Sequence, residues 1–244
     1  MSSRPPRVLF PETLVGPLLN LLFPPRCVVC RRVGTWLCPE CANRLPRLTG
    51  PVCQCCGAPI PHGTLCASCQ EAPLRLEGIR SVAPFRGPVR AAIHYLKYRH
   101  ARELADPLGE LMARYWQQNP LPAEVIVPVP LHPSRLRRRG YNQATLLAWA
   151  LGRRVGLPVD EDALYRVRAT ASQMRLPAAD RRRNVEDAFR CADDQMRGRR
   201  VLLVDDVCTT GATLEACADA LREGGACQVW ALTLARTVNK NDQW

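Results

Sequence analysis

At 244 residues the chain has room for one large domain or two smaller ones, since domains usually run roughly 100–200 residues. Its 34 basic side chains against 22 acidic ones leave a formal charge of +12, and arginine supplies every basic residue except Lys97 and Lys240. Such a surplus favours polyanionic partners, nucleic acid or phosphorylated small molecules, although an arginine-rich, lysine-poor chain is also what a GC-rich genome produces. No stretch approaches the roughly 18 consecutive apolar residues of a bilayer-crossing helix, so a membrane span is excluded.

Residues 1–26 read as an apolar lead-in helix that stops at Pro24-Pro25. Its run from Leu14 to Phe23 is broken by Gly16, Pro17 and Asn20 and has no small-residue cleavage site behind it, so a secretory leader is not expected. The expected location is the cytoplasm, where thiols stay reduced and paired cysteines serve metals more often than disulfides. Nine of the thirteen cysteines lie between Cys27 and Cys69, and none falls between Cys69 and Cys191. This distribution predicts a small cysteine-rich module over residues 27–72 followed by a larger domain over residues 79–238.

Within the module, Cys27, Cys30, Cys38, Cys41, Cys53, Cys56, Cys66 and Cys69 form successive Cys-x-x-Cys pairs. Two thiolates at that spacing chelate one tetrahedral Zn²⁺ through a tight turn, and two such pairs complete a closed structural site. In the simplest pairing Cys27, Cys30, Cys38 and Cys41 share one ion and Cys53, Cys56, Cys66 and Cys69 another, with an interleaved set as the alternative. One or two structural zinc ions are expected. Cys55 is open between a free thiol and a substitute ligand, and disulfides are the competing reading. A module of about 45 residues with few large apolar side chains could hardly bury a core without metal.

From Ile79 the texture changes. Ser81 to Phe85 is strand-like, and Val89 to Gln117 carries apolar residues at helical spacing, divided in two if Asp106-Pro107 marks an N-cap and first turn. Val125 to Pro130 is a short apolar run of the buried-strand kind. Asn142 to Val155 reads as a helix with Asn142 as its cap and Gly156 as its stop. Residues 168–183 are polar and Arg-rich, the texture of a loop. Arg200 to Val204 is a second buried strand, Ala212 to Glu223 a helix ended by Gly224, and Cys227 to Leu234 a third strand. Strands alternating with helices predict an α/β fold with a parallel sheet and helices on both faces.

The segment of most chemical interest is Val201-Leu-Leu-Val-Asp-Asp-Val-Cys-Thr-Thr-Gly-Ala-Thr213. In open parallel sheets ligands bind beyond the carboxyl ends of the strands. A helix starting here directs unsatisfied N–H groups and a positive dipole end at that place, and Gly211 lets the backbone approach an anion. Thr209, Thr210 and Thr213 add hydroxyl donors. Asp205 and Asp206 would repel phosphate, so they are expected to face sugar hydroxyls, or Mg²⁺ through water. The plainer reading is a strand end with solvated acids that merely cap the next helix.

Asp205 to Thr213 resembles the ribose-5-phosphate signature of the type I phosphoribosyltransferases, with only Cys208 at a variable place. The resemblance extends along the chain. Val127-Pro-Val-Pro-Leu-His132, Arg139-Gly-Tyr-Asn-Gln143, the spaced Thr170, Gln173, Arg182 and Asn184, and the upstream cysteine pairs resemble the ComF family of competence-associated proteins. That resemblance implies a type I phosphoribosyltransferase-like domain behind a zinc ribbon. It implies phosphoribosyl pyrophosphate held with Mg²⁺ by Asp205, Asp206, Val207, Cys208, Thr209, Thr210, Gly211, Ala212 and Thr213, the two acids being the catalytic pair. Leu131, His132, Arg135 and Arg139 are then candidates for the pyrophosphate side, and residues 168–184 resemble a hood bringing Arg181 and Arg182 to the leaving pyrophosphate. For Arg135, Arg137 and Arg138 a solvated basic loop is the alternative.

The implied reaction is attack by a nitrogen nucleophile on the anomeric carbon, a chemistry of positioning and charge stabilisation that requires no protein nucleophile. His94, His100 and His132 read as structural or substrate-contacting, and Lys97 matches a family feature of unassigned role. Family association with natural transformation adds DNA-uptake machinery to the expected partners. The competing function is a single-stranded DNA-binding or processing module that uses the sugar-phosphate pocket as a sensor without turnover, although Trp36 is the one aromatic residue of the cysteine module.

Overall fold

A computed structural model describes residues 24–168, 187–192 and 196–238. The proposed lead-in helix, apart from its last residues, and the larger part of the 168–184 segment lie outside them, Arg181 and Arg182 included. The fold is built on β1 (Gly78–Pro84), β2 (Val125–Pro128), β5 (Arg200–Cys208) and β6 (Gln228–Arg236), in the order β1-β6-β5-β2. All three pairings are parallel. Val201 to Val204 are all buried, as a central strand covered on both faces requires. A short antiparallel pair, β3 (Leu164–Arg166) with β4 (Phe189–Cys191), stands apart from the sheet.

One face of the sheet is covered by α3 (Gly87–Tyr98), α4 (Ala105–Gln118) and α6 (Gln143–Val155), which pack Leu96, Leu108, Met112 and Leu151 against Leu202 and Val204. The other face carries α7 (Ala212–Glu223), whose Leu214, Cys217 and Leu221 meet Val201 and Leu203. Between β2 and α6 lies the short α5 (Pro133–Arg139). The expected α/β architecture is therefore present. Asn142 caps α6 as predicted, accepting from the Ala144 N–H at 3.0 Å, and Gly156 ends it in the left-handed region. Asp106 does not cap α4: the helix starts one residue earlier at Ala105, and Asp106 instead pairs with Arg153 and Arg154 of α6.

The cysteine module adds two turns of helix, α1 (Pro39–Asn43) and α2 (Ala67–Glu71). Its first half, with Cys27, Val28, Leu37 and Cys38, joins the α3 and α4 core. Its second half, with Cys53, Cys56 and Cys69, joins the α7 core. The two halves thus dock on opposite faces of one sheet.

Candidate functional site

Strand β5 runs through both acids to Cys208, so Asp205 and Asp206 occupy adjacent strand positions and diverge. Asp206 follows Leu202 and Val204 toward α3, where it is 3% exposed and its Oδ2 lies 2.5 Å from Lys97 Nζ. Lys97, in the last turn of α3, thereby acquires a role that the sequence left open. Asp205 is partly buried on the other side, and its Oδ1 accepts the Asp206 N–H at 2.8 Å. Burial above all, with the negative charge of Asp206 next, pushes the Asp205 carboxyl up to about 8, against the opposing pull of Lys97.

Beyond Cys208 the chain turns through Thr209 and Thr210 and enters α7 at Gly211, whose φ of +89° favours glycine. A side chain at Gly211 would stand 2.9 Å from Ile79 Cδ1 and 3.1 Å from Leu74 Cδ1, flexible ends that could give way, so it is the backbone conformation that favours glycine here. The Ala212 N–H donates to Thr210 Oγ1 at 3.4 Å, closing the turn. Val207, Thr209, Thr210 and Thr213 are partly buried, whereas Cys208, Gly211 and Ala212 are buried.

The β2-to-α5 loop runs beside β5, with the Val129 N–H on the Val204 carbonyl at 2.9 Å. His132 caps α5 through Nδ1, which accepts the Ser134 N–H at 3.2 Å and lies 2.7 Å from Ser134 Oγ. Arg139 hydrogen-bonds Gln143 Oε1 and lies 5.4 Å over the Tyr98 ring. Arg135 is partly buried and Leu131 flanks the loop. Sequence reasoning missed Arg166 on β3. Burial first, and the neighbouring Arg135 charge second, lower its guanidinium from the usual range, while Asp205 opposes them. Arg135, Arg166 and Asp205 therefore share one electrostatic neighbourhood. A three-residue strand carries too little pattern to have revealed it.

In the module, the sulfur atoms of Cys27, Cys30, Cys38 and Cys41 lie within 4.8 Å of one another, as do those of Cys53, Cys56, Cys66 and Cys69. The sets are sequential and not interleaved, and each has the donor chemistry of a closed structural zinc site. The two turns repeat each other: Arg31 N–H bonds the Cys27 carbonyl and Gly57 N–H the Cys53 carbonyl, at 2.9 and 2.8 Å. Cys55 belongs to neither set; its sulfur accepts the Leu74 N–H at 3.2 Å.

Two family models match the chain: the double zinc ribbon domain over residues 18–70 and the phosphoribosyl transferase domain over residues 147–244. The chain is 37% identical to the DNA utilization protein YhgH of Escherichia coli (strain K12) over 229 residues, 89% of this chain and 100% of that protein. It is 33% identical to competence protein F of Haemophilus influenzae, covering 86% of this chain and 97% of that one. The chain belongs to the ComF family.

A more distant ComF relative is competence protein ComFC of Bacillus subtilis, 29% identical over 82% of this chain and 84% of that one. Among solved structures, glutamine phosphoribosylpyrophosphate amidotransferase of B. subtilis is 20% identical with a TM-score of 0.41, covering 58% of this chain and 30% of that one. No helix among the described residues of this ComF chain is long and apolar enough to cross a membrane.

Proposed function

We propose that this protein binds phosphoribosyl pyrophosphate with Mg²⁺ at the carboxyl end of β5 and transfers the ribose 5-phosphate to a nitrogen nucleophile, in the service of DNA uptake or utilisation. The observation that carries this reading is the course of β5, whose terminal Asp205 and Asp206 lead directly through the Gly211 turn into the first turn of α7. In this reading the backbone from Val207 to Thr213, with the Thr209, Thr210 and Thr213 hydroxyls, cradles the 5-phosphate. Asp205 accepts a ribose hydroxyl, and Asp206, with Oδ2 on Lys97, offers Oδ1 to its neighbour. Leu131, His132, Arg135 and Arg139 line the pyrophosphate side, joined by Arg166 and, from the 168–184 hood, Arg181 and Arg182. Mg²⁺, bound with the substrate, would supply positive charge against the pyrophosphate that these residues hold. The bond from the anomeric carbon to the pyrophosphate oxygen breaks as the bond to nitrogen forms, and the nucleophile releases its proton. Residues 27–72 are the zinc-bearing module and residues 79–238 the phosphoribosyltransferase-like domain.

Calorimetry with phosphoribosyl pyrophosphate and Mg²⁺ tests the site. Above pH 8, where Asp205 is ionised, Asp205→Asn leaves the buried Asp206–Lys97 pair intact and is expected to weaken binding by about tenfold or more, the worth of a charge-assisted hydrogen bond. Binding unchanged in that variant removes the assignment. Pyrophosphate release across a panel of bases and nucleic acids then identifies the acceptor.

A second reading, single-stranded DNA binding with the same pocket as a sensor, is favoured by one surface. Arg139 lies over Tyr98, which is 52% exposed, on the same short helix as Arg135, Arg137 and Arg138; Tyr141, 4.6 Å beneath Arg102, is buried and offers no stacking face. Arginines beside an exposed aromatic ring suit a strand whose phosphates and bases are held together.

A further inference from the structure

We propose that Arg236 is the counter-charge of the second zinc centre and the positioning residue through which that centre holds the ribose-phosphate loop in shape. The zinc half of this proposal stands on the geometry alone; its consequence for ligand affinity rests on the function proposed above.

Arg236 closes β6 and is 5% exposed. Among the described residues no carboxylate lies within ion-pair distance of it. Its Nη1 donates instead to the Cys56 carbonyl at 2.6 Å and to Cys208 Sγ at 3.1 Å. A guanidinium shut away from water is costly unless negative charge faces it. Four thiolates around one Zn²⁺ leave a net double negative charge, and Cys56 is one of the four sulfur ligands of the second set. Arg236 therefore bridges a metal ligand and a residue of the phosphate loop with a single side chain.

Further contacts tie the same knuckle, and the chain just after it, to the elements around the loop. Cys55 holds the Leu74 N–H on its sulfur and the Ile79 N–H on its carbonyl, the latter at 2.9 Å, and Leu74 and Ile79 are the side chains packed against Gly211. Arg75 reaches α7, with its N–H on Glu215 Oε1 at 3.2 Å and its guanidinium 2.6 Å from Asp219. Gly57, with φ +71°, comes so close to β1 that a Cβ there would stand 2.3 Å from the Ile79 carbonyl oxygen. The first knuckle packs elsewhere, through Trp36 against Tyr95 of α3 and Asn43 against Arg114 of α4. When the second ion leaves, its thiolates take up protons, Arg236 loses its counter-charge, and the loop loses its floor. By linkage, zinc at the second site and the phosphoribosyl ligand strengthen each other by the same factor.

The test uses the full chain with both sites loaded. Chelator titration of Arg236→Gln is expected to release one of the two ions at about tenfold lower chelator concentration, with the other unchanged, and Arg236→Lys to restore that ion because it keeps the charge. Hydrogen exchange on the wild-type chain is expected to quicken at residues 208–213 when the second ion is stripped. Phosphoribosyl pyrophosphate with Mg²⁺ is expected to bind about tenfold more weakly to Arg236→Gln. An Arg236→Gln protein that retains both ions at wild-type affinity overturns the proposal, as does loop exchange that ignores loss of the second ion. If Arg236→Gln fails to fold, the Arg236→Lys titration and the wild-type exchange decide. Absence of ligand binding by the wild-type chain would defeat the proposed function while leaving the zinc and exchange readouts to judge Arg236.

Discussion

Burial, with a second carboxylate beside it, pushes the Asp205 carboxyl up to about 8. Its folded value, about 8, lies above the ordinary 3.8, so the stability linked to its proton is fully present below pH 3.8 and is lost as pH rises through about 8. A ribose hydroxyl that donates to the carboxylate needs the proton gone. Ligand affinity is therefore expected to climb by up to about tenfold per pH unit as pH approaches 8 and to level off above it, with proton release on binding. Calorimetry in buffers of different ionisation heat measures that release, and a flat profile identical to that of Asp205→Asn would refute it. Asp206 makes the complementary case. Lys97→Met strands a buried carboxylate and is expected to cost about 3–5 kcal/mol, most of it recovered in Lys97→Met/Asp206→Asn. Denaturant unfolding of the single and double variants checks the pair. The sequence showed both acids and singled out Lys97, but the pairing was hidden because it joins residues far apart in the chain.

At the scale of elements, legibility followed pattern length. The α6 and α7 helices were readable from Asn142, Gly156 and Gly224, and the buried strands from unbroken apolar runs. The last residues of β5 were not: its two acids interrupt the apolar run, and only pairing with β6 through Cys208↔Arg236 keeps that stretch extended. Strands β3 and β4 escaped because three residues carry no period. Short α5 brings Arg135, Arg137 and Arg138 within about one turn of helix, where their charges would act together on a phosphate backbone. Replacing all three with Ala is expected to weaken single-stranded DNA binding at low salt and to lower the slope of log affinity against log salt by about 0.7 for each phosphate no longer neutralised. An unchanged slope in a filter-binding or fluorescence titration places the strand elsewhere.

For the molecule as a whole, cysteine spacing foretold a metal-held module and the alternation of strands with helices a parallel α/β domain, and the paired Cys₄ geometry with the double zinc ribbon match bears out structural zinc. What composition could not convey is that the module divides and grips the sheet from both sides. Each ion therefore supports a core that the large domain also uses. Stripping both ions under reducing conditions is expected to lower Tm, by about 2–4 °C for each kcal/mol of metal-linked stability lost. Differential scanning calorimetry of loaded and stripped protein measures this, and coincident transitions would show the zinc sites to be dispensable.

The contact between Arg236 and the Cys56 carbonyl spans 180 residues of chain. A polypeptide made from its N-terminus exposes both cysteine sets long before residue 236 exists, while the partners of the first knuckle on α3 and α4 follow it closely. The first knuckle can therefore find its final seat early in synthesis. The second gains its Arg236 contact only when the last strand has been made, so a chain ending short of β6 is expected to give up its second ion at a lower chelator concentration than the finished molecule.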